Sequence, residues 1–367
     1  MKIRTLTLFY NLKKHFIDQD LIRRIEILKK IYDDLKEKGI EVQTLRVSTN
    51  LASQKVDFKT MISMTTRIDD ILRDKNIEFF NIGKVNYLKI ENVLKLYEKV
   101  NISSFLDIDT NIFDEKVVQK GATLIKELSK IDPLKNFNFG LSFNIQPGTP
   151  FFPSSYSNKE GFSVGFENGD LLQSIFKDVK NYDKLKNYLE KKLNKEYLFF
   201  EKVFKNQAKK RKIEFLGLDI SFAPGIKKEQ SVYEAFNILK KNIKRKNLND
   251  LSIAGAITEV LKNLKLKKTG YSGLMLPLCE DYSLSRLSFE NNIRIRDLLL
   301  LSSVCGCGID TVPVKQKNEF IESLIIDSYT ISRKWKKPLQ LRVLPVEEKN
   351  IIRFSSKYLL KSKLLDY

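Results

Sequence analysis

Apolar and polar residues alternate with a period of two over residues 2–10, KIRTLTLFY, and this predicts a strand. Apolar residues then recur at helical spacing through 20–39, with Asp20 as N-cap and Gly39 as stop. Residues 40–48 predict a second strand, 58–76 a second helix and 77–83 a third strand. This βαβα rhythm predicts a mostly parallel sheet covered on both faces. It continues with a strand at 102–108, a helix at 115–131, a strand at 137–145 and a long basic helical region from Asp170 to Arg211. A strand at 213–223 follows, then helical pieces through Leu266 and a strand-like run at 273–278. The last elements are a helix at 295–304, a strand at 308–314, a helix at 318–335 and a closing strand at 339–346. No linker, low-complexity segment or repeat interrupts the series, so one α/β domain over 1–367 is expected. Ligands of such folds meet the carboxyl ends of strands, so the loops after strands are where chemistry is sought.

Composition narrows the class. Of 367 residues, 42% are hydrophobic and 30% charged, as in a folded chain rather than a disordered one. No apolar run is long enough to cross a bilayer, and the opening stretch lacks signal-peptide organisation. With three cysteines and no framework spacing, a cytoplasmic protein with no membrane partner is expected. The net charge of +20 leaves two readings: a lysine-rich solvated surface, or a polyanionic partner such as nucleic acid. The basic runs at 209–212, 240–246, 265–268 and 334–337 follow helical segments, and no nucleic-acid-binding motif accompanies them. The single histidine, His15, is expected at the surface. One histidine excludes both a multi-histidine metal site and, unless His15 serves, a histidine-dependent triad.

Four loops carry candidate chemistry. NIQPGTPFFPSSYSNKEGF (144–162) combines three prolines with Phe151 and Phe152 and suits the wall or lid of a pocket. Pro147, Gly148, Thr149, Phe151 and Phe152 are its candidate ligand contacts. GLDISFAPG (217–225) places Asp219 and Ser221 on one side of an apolar strand, where a carboxylate needs a partner. KKTGYSGLMLPLCEDYSLSR (267–286) offers Gly273, Glu280 and Asp281. SSVCGCGIDTVPV (302–314) holds Cys305, Cys307 and Asp310. A Cys-x-Cys disulfide would be strained, and a zinc site would need Cys279 and a carboxylate besides these two cysteines. A thiol nucleophile would need a nearby cation or helix N-terminus. Small residues in a tight turn explain the stretch equally well. Asp219 and Asp310 are the pair that could hold a divalent cation.

Taken together, GLDISFAPG, GYSGLMLPLCED and SSVCGCGIDTVPV, in this order, with IRTLTL at the start and LRVS after it, resemble the DUF711 (UPF0210) family over essentially the whole chain. The resemblance implies a pyruvate formate-lyase-like α/β barrel of about ten strands surrounded by helices, enclosing a finger loop. SSVCGCG could supply such a loop. Glycyl radical chemistry is not expected, because the tail RFSSKYLLKSKLLDY has no glycine. Arg4, Arg46, Asp219, Ser221, Pro224, Gly273, Glu280, Asp281, Cys305, Gly308 and Asp310 match the family pattern. Cys307 stands where the family can have an apolar residue, and Ser157 where a histidine is expected. The resemblance brings no established reaction.

The expectation is an enzyme or small-ligand-binding protein with its site at a barrel mouth. Cys305, Asp310 and Asp219 are the catalytic candidates, and Arg4 and Arg46 would pair with the acids or with an anionic substrate. The competing expectation is a non-catalytic basic protein that binds a polyanion. A homo-oligomer fits either.

Overall fold

The computed structural model describes residues 2–12, 18–243, 248–305, 307–347 and 351–367. His15 and part of the 240–246 basic run lie outside them. The first half of the chain is β1 (Lys2–Tyr10), α1 (Asp18–Glu37), β2 (Val42–Thr49), α2 (Phe58–Asp74), β3 (Phe79–Lys84), α3 (Ile90–Lys99), β4 (Ser103–Ile108), α4 (Glu115–Ile131) and β5 (Phe139–Phe143). The second half is β6 (Gly161–Glu167), α5 (Gly169–Asp178), α6 (Leu185–Arg211), β7 (Phe215–Asp219), α7 (Val232–Asn242), α8 (Asp250–Asn263), α9 (Tyr282–Phe289), α10 (Ile295–Val304), β8 (Gly308–Lys315), α11 (Asn318–Trp335) and β9 (Leu339–Val346).

The nine strands form one sheet in the order β7-β6-β1-β2-β3-β4-β5-β9-β8. Strands β1 to β5 run parallel to one another, and β1/β6 and β5/β9 are the antiparallel junctions. The sheet is thus two parallel halves pointing in opposite directions. Its two edges are bridged by the segment 267–279. Leu218 N–H donates to the Lys267 carbonyl and Phe222 N–H to that of Gly273, while Leu278 N–H donates to Asp310 and Cys279 N–H to Thr311. This segment completes a barrel-like ring. The strand expected at 273–278 is therefore absent as a regular element. It makes single parallel bridges at Leu274 and Pro277 instead. Pro277 lacks the N–H a ladder needs, and Gly270 and Ser272 adopt positive φ.

Helices α4, α10 and α11 and strand β9 coincide with their expected limits, and β8 runs one residue beyond its own. Helices α3 and α9 were not anticipated, and a break at 179–184 divides the long basic region into α5 and α6. Outward strand residues such as Leu6, Leu8, Val47, Leu141 and Val164 are fully buried against the helices. Among the described residues, no helix is long and apolar enough to cross a membrane.

The inner face of the ring is polar, and the reason is the loop it encloses. Residues 146–157 run through the barrel, and the barrel wall hydrogen-bonds their backbone. Thr7 donates to the Pro150 carbonyl at 3.0 Å, Ser48 to Ser155 at 3.1 Å, Asn81 to Pro153 at 2.5 Å and Thr269 to Pro147 at 2.8 Å. A proline-rich loop in a barrel interior has carbonyls with neither water nor a strand partner, so hydroxyl and amide donors must face it. The alternation seen in β1 is therefore not core against solvent. It is core against an enclosed loop. The interior loop is 146–157, not the SSVCGCG stretch, which ends α10 and leads into β8.

Candidate functional site

At one mouth of the ring lies a cavity of about 350 Å³, a size typical of small-molecule sites. This mouth gathers residues from the amino ends of β1, β2, β3 and β5, the carboxyl end of β6, and the first halves of β8 and β9, where Asp310, Gln340 and Arg342 stand. Half of its lining therefore precedes or begins strands, away from the loops where ligands of parallel folds are sought.

One wall is ionic. Arg4, next to a register shift in β1, donates to Glu167 at 2.9 Å and to Glu280 at 2.7 Å. Glu280 bridges two guanidinium groups, since its other oxygen accepts from Arg342 at 2.7 Å. Arg342 also grips Asp310 through two bonds, at 2.5 and 2.9 Å. Burial opposes the charge on Arg342, but Asp310 and Glu280 outweigh it and hold the guanidinium above its ordinary pKa. A bulge at Thr311, whose φ of 46° is rare for a β-branched residue, follows Asp310 directly.

Arg46 differs from both. Its Nε donates to Thr44 at 3.0 Å, and its guanidinium carbon lies 4.7 Å from the Phe79 ring centre and 5.2 Å from that of Phe152. Among the described residues no carboxylate pairs with it, and it is only 8% exposed. Burial, with the charges of Arg4 and Arg342, pushes its pKa down to about 9.

The floor is apolar. Phe151, Ala223, Tyr271, Met275 and Cys307 form a small buried cluster separate from the main core, and all five line the cavity. Burial pushes the Cys307 thiol well above its ordinary pKa. Phe151 reaches this floor because Gly165 in β6 has no side chain: a Cβ there would stand 2.5 Å from the ring.

Of the residues singled out in the sequence, Arg4, Arg46, Phe151, Phe152, Pro224, Glu280, Cys307 and Asp310 line the cavity. The others sit elsewhere. Asp219 accepts from the backbone of Ser221, Tyr271 and Ser272 and from the Ser221 hydroxyl. It anchors the ring-closing segment, and four donors use up its lone pairs. Asp281 accepts from the backbone of Val232, Tyr233, Ser283 and Leu284 and from the Ser231 hydroxyl, and so caps α7 and α9 together. The Gly273 N–H donates to the Ser221 hydroxyl. Pro147, Gly148 and Thr149 hold the base of the interior loop. Cys305 belongs to the main core and Cys279 to a third cluster, so the three cysteines are not brought together. Asp310 is engaged by Arg342 and Gln340. Among the described residues, no three histidine, cysteine or acidic side chains converge to hold a metal ion.

Sequence reasoning missed Glu167, Arg342 and Tyr271, and the aromatic shelf of Phe79, Phe137 and Tyr358, and it preferred Cys305 to Cys307. The rule that flagged Asp310, a charge inside an apolar strand, applies equally to Arg342 in LQLRVLPV and Glu167 in FSVGFE.

The family model described as "Uncharacterised ACR (DUF711)" matches residues 1–351. A UPF0210 protein of Sulfurisphaera tokodaii is 24% identical over 355 residues, covering 88% of this chain and 78% of that protein. A UPF0210 protein of Oenococcus oeni is 22% identical over 352 residues, covering 86% of this chain and 76% of that protein. The chain belongs to the DUF711 family.

Proposed function

We propose that the protein binds a small organic anion in the cavity at the barrel mouth, as a ligand-binding protein or an enzyme. The observation that carries this reading is Arg46. Arg4 and Arg342 are matched by Glu167, Glu280 and Asp310, whereas Arg46 is buried with its two Nη groups unpartnered among the described residues. A buried guanidinium without an acid costs stability, and its planar fork suits a carboxylate or phosphate. The apolar floor beside it suits a carbon body. A closed ring with an interior loop also supports the pyruvate formate-lyase-like expectation for the fold.

The test is calorimetric and thermal-shift titration against carboxylates and phosphate esters, with wild type and Arg46→Met compared. The expected result is that Arg46→Met melts no lower than wild type and loses the ligand-induced shift. If no anion stabilises wild type, or if Arg46→Met binds as wild type does, the reading fails.

A further inference from the structure

The chain's last segment supplies one side of this cavity. Residues 351–367 return across the mouth and are held at several points. Ile352, Phe354 and Leu359 are buried with Cys279, Leu344 and Val346. Leu360 N–H donates to the Cys279 carbonyl at 2.7 Å, and Leu365 N–H to that of Pro313 at 3.2 Å. Between these anchors, Lys357 and Tyr358 line the cavity.

Tyr358 connects the two aromatic shelves on which arginines rest. Its ring stacks on Phe137, with centroids 6.2 Å apart and planes 8° from parallel, and meets Phe79 edge-on at 6.2 Å. Phe79 carries Arg46, and Phe137 carries Arg342 at 4.9 Å. The Lys357 ammonium lies 5.0 Å from the centre of the Tyr358 ring, and Tyr358 and Arg46 both pack on Phe79. Among the described residues, the lining holds four cations (Arg4, Arg46, Arg342, Lys357) and three acids (Glu167, Glu280, Asp310). One positive charge is therefore in surplus, and among the described residues the cations without an acid partner are Arg46 and Lys357.

We propose that Lys357 and Tyr358 complete the anion receptor begun by Arg46, so that the C-terminal segment helps select the ligand: an oxyanion on an apolar body, held between Arg46 and the Tyr358 hydroxyl. This rests on the anion-binding reading above. The segment is a fixed wall, because the anchors on both sides of Tyr358 hold it in place. Its tyrosine supplies a hydroxyl at the oxyanion, and its lysine supplies a charge at the entrance that attracts anions before they dock.

Full-length protein is titrated with benzoate, phenyl phosphate and inorganic phosphate, the first two separating a carboxylate from a phosphate ester on the same ring. Tyr358→Phe keeps the stacking ring and removes the hydroxyl, and it is expected to weaken the better aryl probe about tenfold. Lys357→Met, at an exposed position, is expected to weaken it about threefold and to flatten its salt dependence. Inorganic phosphate, lacking the apolar body, should bind more weakly than phenyl phosphate. Unchanged melting of both variants shows that the effect is on binding. If both variants bind as wild type while Arg46→Met does not, the C-terminal segment has no part in selection and only this inference falls. If Arg46→Met also binds normally, or no probe binds wild type, the anion reading itself falls.

Discussion

Arg342 closes on Asp310 as a fork, Nε to Oδ1 at 2.5 Å and Nη2 to Oδ2 at 2.9 Å, and both residues are less than 9% exposed. The same guanidinium holds Glu280. Removing it leaves Asp310 without a cation and Glu280 with Arg4 alone. Arg342→Met should therefore lower unfolding free energy by about 3–5 kcal/mol in denaturant titrations, while Arg46→Met should not lower it. A loss below about 1 kcal/mol for Arg342→Met would show that the acids are held by something else.

The cavity depends on Gly165 as much as on any charge. A methyl group there would meet the Phe151 ring at 2.5 to 3.1 Å. Gly165→Ala should cost about 1–3 kcal/mol, the usual range for overpacking. Phe151→Ala in the same chain should recover part of that cost. Strictly additive losses in this double-mutant cycle would mean that the two residues do not compete for the space.

Asp219 makes stability depend on pH. Burial pushes its carboxyl up to about 6, against the pull of four hydrogen bonds. A group whose folded pKa lies above its unfolded value holds its proton more tightly in the folded chain. Its contribution is thus full below about pH 4 and is lost as pH rises through 6. This term should lower stability by on the order of 2–3 kcal/mol between pH 4 and 7. Asp219→Asn should be less stable at all pH values yet lack this decline. An unchanged pH slope in the variant would assign the titration to another group.

The cysteines should be silent in the native protein. Cys279, Cys305 and Cys307 are at most 4% exposed, and burial raises Cys279 to about 12 and Cys307 well above its ordinary value. At pH 7.5 a bulky thiol reagent should label none of the three until denaturant is added. Rapid labelling of Cys305 in native protein would revive it as a reactive thiol. Because Cys307 lines the cavity, Cys307→Val should alter ligand affinity, while Cys305→Ala should not.

Much of the local structure was legible in the chain. Helix α4 at 115–131 and helix α11 at 318–335 follow from apolar spacing. Half of the site was legible too: Asp310, a charge inside an apolar strand, has to be met by something, and Arg4, Arg46 and Glu280 match the family pattern. Which of these charges meet one another was not. Arg4 and Glu280 are 276 positions apart and come together only when the sheet forms its ring.

Sequence alone therefore determined the α/β elements, the buried charges that needed partners and the family. Each depends on the residues themselves: periodicity sets which face of an element is apolar, and desolvation makes an unpaired charge costly wherever it lies. Only the tertiary structure decided that the proline-rich loop fills the barrel and that Asp219 and Asp281 are structural anchors. It also decided that Cys307 rather than Cys305 meets the cavity, and that Arg46 is the guanidinium without an acid. Those outcomes depend on which distant donors and acceptors close on one another when two opposed half-sheets join, and no local pattern in the chain encodes that pairing.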